Sequence, residues 1–272
     1  MENKKIIFFD LDGTLLNSES QIIKENILEI NKIRNKGFFV SIATGRSLGM
    51  TIDIVKQLSI NVPVVLANGN FIYNPISNNT TILSKPLHKK VKKFYLKYVV
   101  KNKGSFAWFT KEKDYFYSST AKKQKDELLD LSDKIENLSQ LSFGEVKKKF
   151  FKDDVYHMSI QEKNNLEETR KVFYKLQEKN LCKITIASGS FIDADDLSVN
   201  KFAGLKKVLD DLKITDLNNV YCFGDSNNDI EMLKNIPNSI AMGNANEDVK
   251  KIASKTIGTN NEPSIANFLK TL

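Results

Sequence analysis

Two short apolar runs near opposite ends of the chain each stop at acidic residues. Ile6-Ile7-Phe8-Phe9 leads into Asp10-Leu11-Asp12-Gly13-Thr14, and a run over 220–223 leads into Gly224-Asp225-Ser226-Asn227-Asn228-Asp229. Runs of this length and β-branched or aromatic content suit buried strands. Residues two apart on an extended segment project the same way, so Asp10 and Asp12 are able to face one site. Carboxylates held together repel, and a hard divalent ion such as Mg²⁺, bound through oxygen, relieves that repulsion. Asp229 opens the next helix, where a negative charge is favoured by the helix dipole. Turns are rich in Asp and Gly, so either motif alone has an ordinary structural reading. Four carboxylates converging from distant sequence bring too much negative charge for a purely structural role.

The surrounding pattern is that of a parallel α/β unit, an open sheet that places its site at the carboxyl ends of the strands. Strands are expected over 5–11, 38–43 and 62–67, with helices over 21–36 and 48–58 between them. After about residue 83 the grammar changes. A helix over 89–101, a hairpin of 105–109 with 115–117, a strand over 155–161 and a helix over 166–180 follow. A second hairpin of 183–187 with 191–194 turns around Ser188-Gly189. From 201 the parallel pattern returns, with strands over 220–223 and 239–242. The fold class expected is α/β, a parallel-sheet core over 1–82 and 191–272 split by an inserted α+β cap over 83–190.

Composition sets limits. The chain has 272 residues, 41% hydrophobic and 27% charged, which is ordinary for a folded domain or two. Its most apolar stretch, 62–67, is far too short to cross a bilayer. The first apolar run meets Asp10 without a cleavage-type segment and reads as a strand rather than a leader. Two lone cysteines, Cys182 and Cys222, cannot make a disulfide framework and read as small buried hydrophobes. A cytoplasmic protein with no membrane partner is expected. Residues 84–189 hold 24 Lys and Arg against 14 Asp and Glu, and the remainder holds 17 against 19. Lys and Asn are abundant throughout, so biased composition accounts for this; a field that draws anionic partners is the other reading.

Asp10-Leu11-Asp12-Gly13-Thr14, Thr44-Gly45-Arg46, Lys201 at a helix start and Gly224 to Asp229, in this order, resemble the four motifs of the haloacid dehalogenase superfamily. Asn68-Gly69 and Ala241-Met242-Gly243-Asn244-Ala245 are similar to its Cof-type hydrolases of subclass IIB. The resemblance spans the chain and implies a Rossmann-like core, with the cap between the second and third motifs closing over the site. It implies four catalytic side chains, Asp10, Asp12, Thr44 and Lys201. Asp10 is the expected nucleophile toward phosphorus, and Asp12 the acid and base. Mg²⁺ is expected on the Asp10 side chain, the Asp12 carbonyl and Asp225, with Asp229 as a ligand or a partner behind the ligands. Phosphate is expected to meet the Leu11 and Gly45 amides, Thr44, Lys201 and Asn228.

The implied activity is Mg²⁺-dependent hydrolysis of a small phosphorylated metabolite, sugar phosphates foremost. A phosphomutase of hexose phosphates is the neighbouring alternative. A non-catalytic, basic, nucleic-acid-binding protein is a third, opposed by the presence of every catalytic side chain and the lack of a recognisable nucleic-acid module. The motifs leave the oligomeric state open. Arg46 has two readings, a phosphate contact or an ion-pair arginine. One departure stands out: Phe202 follows Lys201 where the subclass has glycine, and Gly204 comes two places later, so the local turn or substrate packing differs there. Trp108 with Phe106, Phe109, Tyr115 and Tyr117 reads as core before stacking platform, and His157 as a satisfied cap histidine before a leaving-group contact. His88 reads as a surface helix start and Lys147-Lys148-Lys149 as a solvated face.

Overall fold

The first apolar run forms strand β1 (Ile6–Phe9), every residue of it buried. It lies between β2 (Phe39–Ile42) and β12 (Val220–Gly224), parallel to both, with Phe9 beside Ile42 and Phe223. β13 (Asn238–Ala241) and β14 (Lys255–Thr256) continue the sheet in parallel, giving the order β14-β13-β12-β1-β2. A strand with neighbours on both edges and cover on both faces has no reason to alternate polar and apolar residues. The computed structural model describes residues 4–119, 135–138, 141–162, 165–187 and 190–272. They fall into two units, Met1–Arg46 with Ile52–Thr81 and Asn200–Leu272, and Ser47–Thr51 with Ile82–Val199.

In the first unit, α1 (Lys24–Asn35) packs on α9 (Ser264–Leu269); α2 (Leu48–Gln57) is the helix that follows β2 in the chain. α6 (Lys201–Leu212), α7 (Ile230–Asn235) and α8 (Glu247–Ile252) pack in succession. The third expected strand, β3 (Val64–Leu66), touches the main sheet through one parallel bridge, Ala43 to Val65. It then pairs antiparallel with β4 (Phe71–Asn74), beside which lies β5 (Asn79–Ile82). α6 crosses β3 so closely that a Cβ at Gly204 would lie 2.3 Å from Val65 Cγ1. Gly204, one turn into the helix, is needed for that close approach, and Phe202 keeps the place directly after Lys201.

The second unit is a sheet in the order β10-β11-β9-β6-β7-β8. Its strands are β6 (Ser105–Phe109), β7 (Asp114–Ser118), β8 (Glu136–Asn137), β9 (His157–Gln161), β10 (Lys183–Ala187) and β11 (Phe191–Asp195). All pairs are antiparallel except β7 with β8. Residues of α3 (Lys89–Lys101), α4 (Phe143–Lys152) and α5 (Leu166–Glu178) form one apolar core with Phe106, Trp108, Met158 and Ile192 of the sheet. The expected end of the insertion at 190 is corrected by strand pairing. β11 is hydrogen-bonded to both β10 and β9, so the second unit runs on to Val199. The turn expected at Ser188-Gly189 lies outside the described residues. Among those residues no helix is long and apolar enough to cross a membrane.

Candidate active site

The parallel register carries three distant carboxylates to one strand edge. Asp10 follows β1, and its N–H donates to the Phe223 carbonyl at 3.0 Å, which ties it to the end of β12. Asp225 follows β12, and Asp229 lies one turn later. Carboxylate oxygens of Asp10, Asp225 and Asp229 lie within 4.8 Å of one another. Lys201, the first residue of α6, is fully buried and its Nζ donates to Asp10 Oδ1 and Asp229 Oδ1, both at 2.7 Å. Asn200 caps that helix by accepting from the Ala203 N–H at 2.9 Å, which fixes where the lysine leaves the backbone. Asp229 Oδ2 accepts the N–H groups of Asp225 and Ser226 at 3.0 Å each, so both its oxygens are engaged. Thr14 donates to Asp225 Oδ1 at 2.8 Å. Gly13 stands at φ +77°, and a Cβ there would lie 2.4 Å from Asp225 Oδ2. Glycine is required at that turn by conformation and by space.

Charge in this cluster does not balance. Three carboxylates face one ammonium. Burial, and then the charges of Asp229 and Asp225, push the Asp10 carboxyl well above its ordinary range against the pull of Lys201. Burial followed by the Asp229 charge raises Asp225 to about 7. Burial disfavours the charged form of Lys201, yet Asp10 and Asp229 hold it above the ordinary lysine range. Among the described residues no donor reaches the second oxygen of Asp10 or of Asp225. Uncompensated negative charge, an all-oxygen donor set and two open carboxylate oxygens fit a hard divalent cation.

Asp12 and Arg46 form a bidentate ion pair, Nε to Oδ2 at 2.8 Å and Nη2 to Oδ1 at 2.5 Å. Arg46 is 7% exposed and the Asp12 side chain 35%. Of the two readings of Arg46, the ion pair is the one observed. Thr44 is fully buried, and its Oγ1 accepts the Arg46 N–H at 3.1 Å. Asn228 Nδ2 donates to Asn68 Oδ1 at 3.1 Å and its Oδ1 accepts from Ser226 Oγ at 2.6 Å. A Cβ at Gly45 would lie 3.0 Å from that same Asn68 oxygen and 3.7 Å from Asn228 Nδ2, so these three sit together. Leu11 is buried, and its carbonyl accepts the Thr14 and Leu16 N–H groups, closing the turn after β1. The supporting contacts of Thr14, Ser226 and Asn68 went unread in the sequence, although all three lie inside or beside the motifs.

Other candidates resolve as structure. Trp108 is fully buried, stacked between Phe106 at 5.0 Å and Tyr115 at 5.2 Å. His157 Nδ1 lies 2.6 Å from Asp195 Oδ1, and its ring stacks on Phe109 at 4.8 Å. Burial opposes its charge, but Asp195 and Asp193 together lift it to about 9. His88 caps α3, accepting the Lys90 N–H at 3.1 Å. Cys182 and Cys222 are free and buried.

Comparison with known proteins identifies the family. The family model of haloacid dehalogenase-like hydrolases matches residues 7–269. The 5-amino-6-(5-phospho-D-ribitylamino)uracil phosphatase YcsE of Bacillus subtilis (strain 168) is 32% identical over 266 residues, 98% of this chain and 94% of that protein. A phosphatase of the same name, YitU, from that organism is 26% identical over 276 residues, 99% and 98% of the two chains. The solved structure of a haloacid dehalogenase-like hydrolase from B. subtilis superposes with a TM-score of 0.82 at 25% identity, over 98% of this chain and 99% of its own. With the motif side chains gathered at one strand edge and the match running almost from end to end, the chain belongs to the haloacid dehalogenase-like hydrolases and is a phosphoric monoester hydrolase.

Proposed function

We propose that the chain removes phosphate from small polyhydroxylated metabolites in two steps through Asp10. In the first, an Asp10 oxygen attacks phosphorus, the bond to the leaving oxygen breaks, and Asp12 gives that oxygen a proton. In the second, Asp12 takes a proton from water, the water oxygen attacks phosphorus, and the Asp10 carboxylate is released. Lys201 holds Asp10 in place and faces the transferring group with positive charge. Thr44, the Gly45 and Leu11 amides and Asn228 bind the phosphate oxygens. Mg²⁺ held by Asp10, the Asp12 carbonyl and Asp225, with Asp229 anchoring Lys201 behind them, would offset the repulsion between the Asp10 anion and an incoming phosphate. Arg46 fixes the direction of the Asp12 carboxylate through two hydrogen bonds.

The observation that carries this reading is the buried Asp10–Lys201–Asp229 triad, with Asp225 beside it and an excess of negative charge. The substrate class is supported by relatives named for a phosphorylated ribitylaminouracil, a phosphate ester on a polyol chain. Two buried, unpaired thiols favour a reducing compartment, the cytoplasm. The test is phosphate release with Mg²⁺ from a panel of sugar phosphates, nucleotides and phosphoribityl compounds. Turnover concentrated on sugar and polyol phosphates is expected. Preference for nucleotides overturns the substrate class, and conversion of a hexose 1-phosphate to its 6-phosphate without release overturns hydrolysis in favour of a mutase.

A further inference from the structure

Helices α3 and α4 of the second unit line a groove of about 990 Å³. Its apolar lining is Leu96, Val100, Phe143 and Phe151, of which Leu96 is buried while Phe143 is 44% and Val100 40% exposed. Seven lysines line it and no acidic residue does. Lys89, Lys93, Lys97 and Lys101 recur every fourth residue and so form one stripe along α3; Lys147 and Lys148 face them from α4. Like charges at this spacing cost a helix stability. Among the described residues none of the seven is in an ion pair. Lys92, on the same helix, shows what a lysine settled within the fold looks like. It is buried, donates to the Asp153 carbonyl at 2.7 Å and lies 5.2 Å from the Phe150 ring centre.

We infer that this groove docks an acidic amphipathic helix of another protein. The chemistry of its two zones sets the occupant. Apolar side chains on one helix face meet the apolar lining, and carboxylates on either flank meet the two lysine rows, the helix-in-groove mode of recognition. A nucleic-acid backbone would satisfy the lysines but gain nothing from Leu96 and Val100. A bilayer would reach the exposed Val100 and Phe143 but not Leu96, which is buried between the lysine rows. A second copy meeting the first face to face would set lysine against lysine.

The test titrates the full chain into a fluorescein-labelled helical peptide of about 16 residues with leucines at i, i+3, i+4 and i+7 and glutamates on its flanks. A shuffled peptide of equal composition, oligouridylate and phosphatidylserine vesicles serve as competing probes. The ordered peptide is expected to bind, and Lys93→Glu/Lys97→Glu to weaken it about tenfold or more. Phe143→Ser should weaken it about fivefold, while Lys171→Glu/Lys175→Glu on α5, with the same charge change, stays within about twofold. All these side chains are exposed or half-exposed, and retained turnover of an aryl phosphate reports that each variant is folded. Equal binding of the shuffled peptide, indifference to Phe143→Ser, or tighter binding of oligouridylate or vesicles than of the ordered peptide would each overturn the assignment.

Discussion

Each unit of the molecule buries a cluster of charges, and the two clusters are built to opposite rules. In the first unit Asp10, Asp225 and Asp229 share one ammonium and leave carboxylate oxygens open. In the second, His157 meets Asp195 at 2.6 Å, Asp193 lies 3.8 Å from its other nitrogen, and Ser159 donates to Asp193 at 2.6 Å. In the histidine cluster each named carboxylate accepts a hydrogen bond at 2.6 Å, Asp195 from His157 and Asp193 from Ser159. The aspartate cluster is complete only with something from outside. Carboxylate oxygens left without a donor, more than burial, distinguish the reactive cluster from the structural one.

The comparison breaks most visibly under neutralisation. Asp10→Asn should lower turnover of an aryl phosphate by roughly 10³-fold or more, and because it relieves repulsion with Asp225 and Asp229 the melting temperature should hold or rise. Retained turnover in that variant removes Asp10 as the nucleophile. Asp195→Asn, which strips the paired cluster of one partner, should cost about 3–5 kcal/mol of stability, as removal of one member of a buried pair does. Chemical denaturation measures this, and an unchanged midpoint would show that His157 does not depend on its carboxylate.

Arg46→Ala should lower kcat by about ten- to a hundredfold with little change in KM, since it leaves the phosphate contacts intact and frees Asp12 to misorient. Arg46→Lys should restore only part, because an ammonium cannot make the bidentate contact. A loss confined to KM would return Arg46 to the phosphate. The smallest effect is in pH. Asp225 at about 7 in the folded chain lies above its unfolded value. Its contribution is therefore present at low pH and is lost as pH rises toward and through 7. His157, raised to about 9 from 6.5, loses its contribution later, as pH rises through 9. Mg²⁺ should therefore raise the melting temperature more at pH 8 than at pH 5, and His157→Gln should flatten only the alkaline window. Equal Mg²⁺ shifts at both pH values would argue against a cation among these carboxylates.

Much of this was legible before any coordinates. Strands buried on both faces announce themselves as unbroken apolar runs, and the acidic residues ending two of them mark the site. What escaped has physical causes. Helix α4 was hidden by Lys147-Lys148-Lys149, read as a solvated face, although Ser142 and Glu145 form a capping box three residues apart just ahead of Val146 and Phe150. The boundary at Val199 depends on β11 pairing with β9, a choice of partner that alternation within one strand cannot express. Whether Arg46 would reach a phosphate or Asp12, thirty-four residues earlier, is set by the angle at which two strand ends meet. β4 and β5 were missed because their run is short and follows Asn68 at positive φ.

The place of β1 in the sheet governs how this chain must be made. One edge of β1 finds β2 within forty residues, but the other waits for β12, the twelfth of fourteen strands among the described residues. While the ribosome is still working through the intervening two hundred residues, Ile6–Phe9 presents an unpaired apolar edge, the kind that recruits other chains. The nascent protein therefore needs either chaperone cover or temporary shelter within its own first half, and a product truncated before Val220 should aggregate rather than accumulate as a folded fragment.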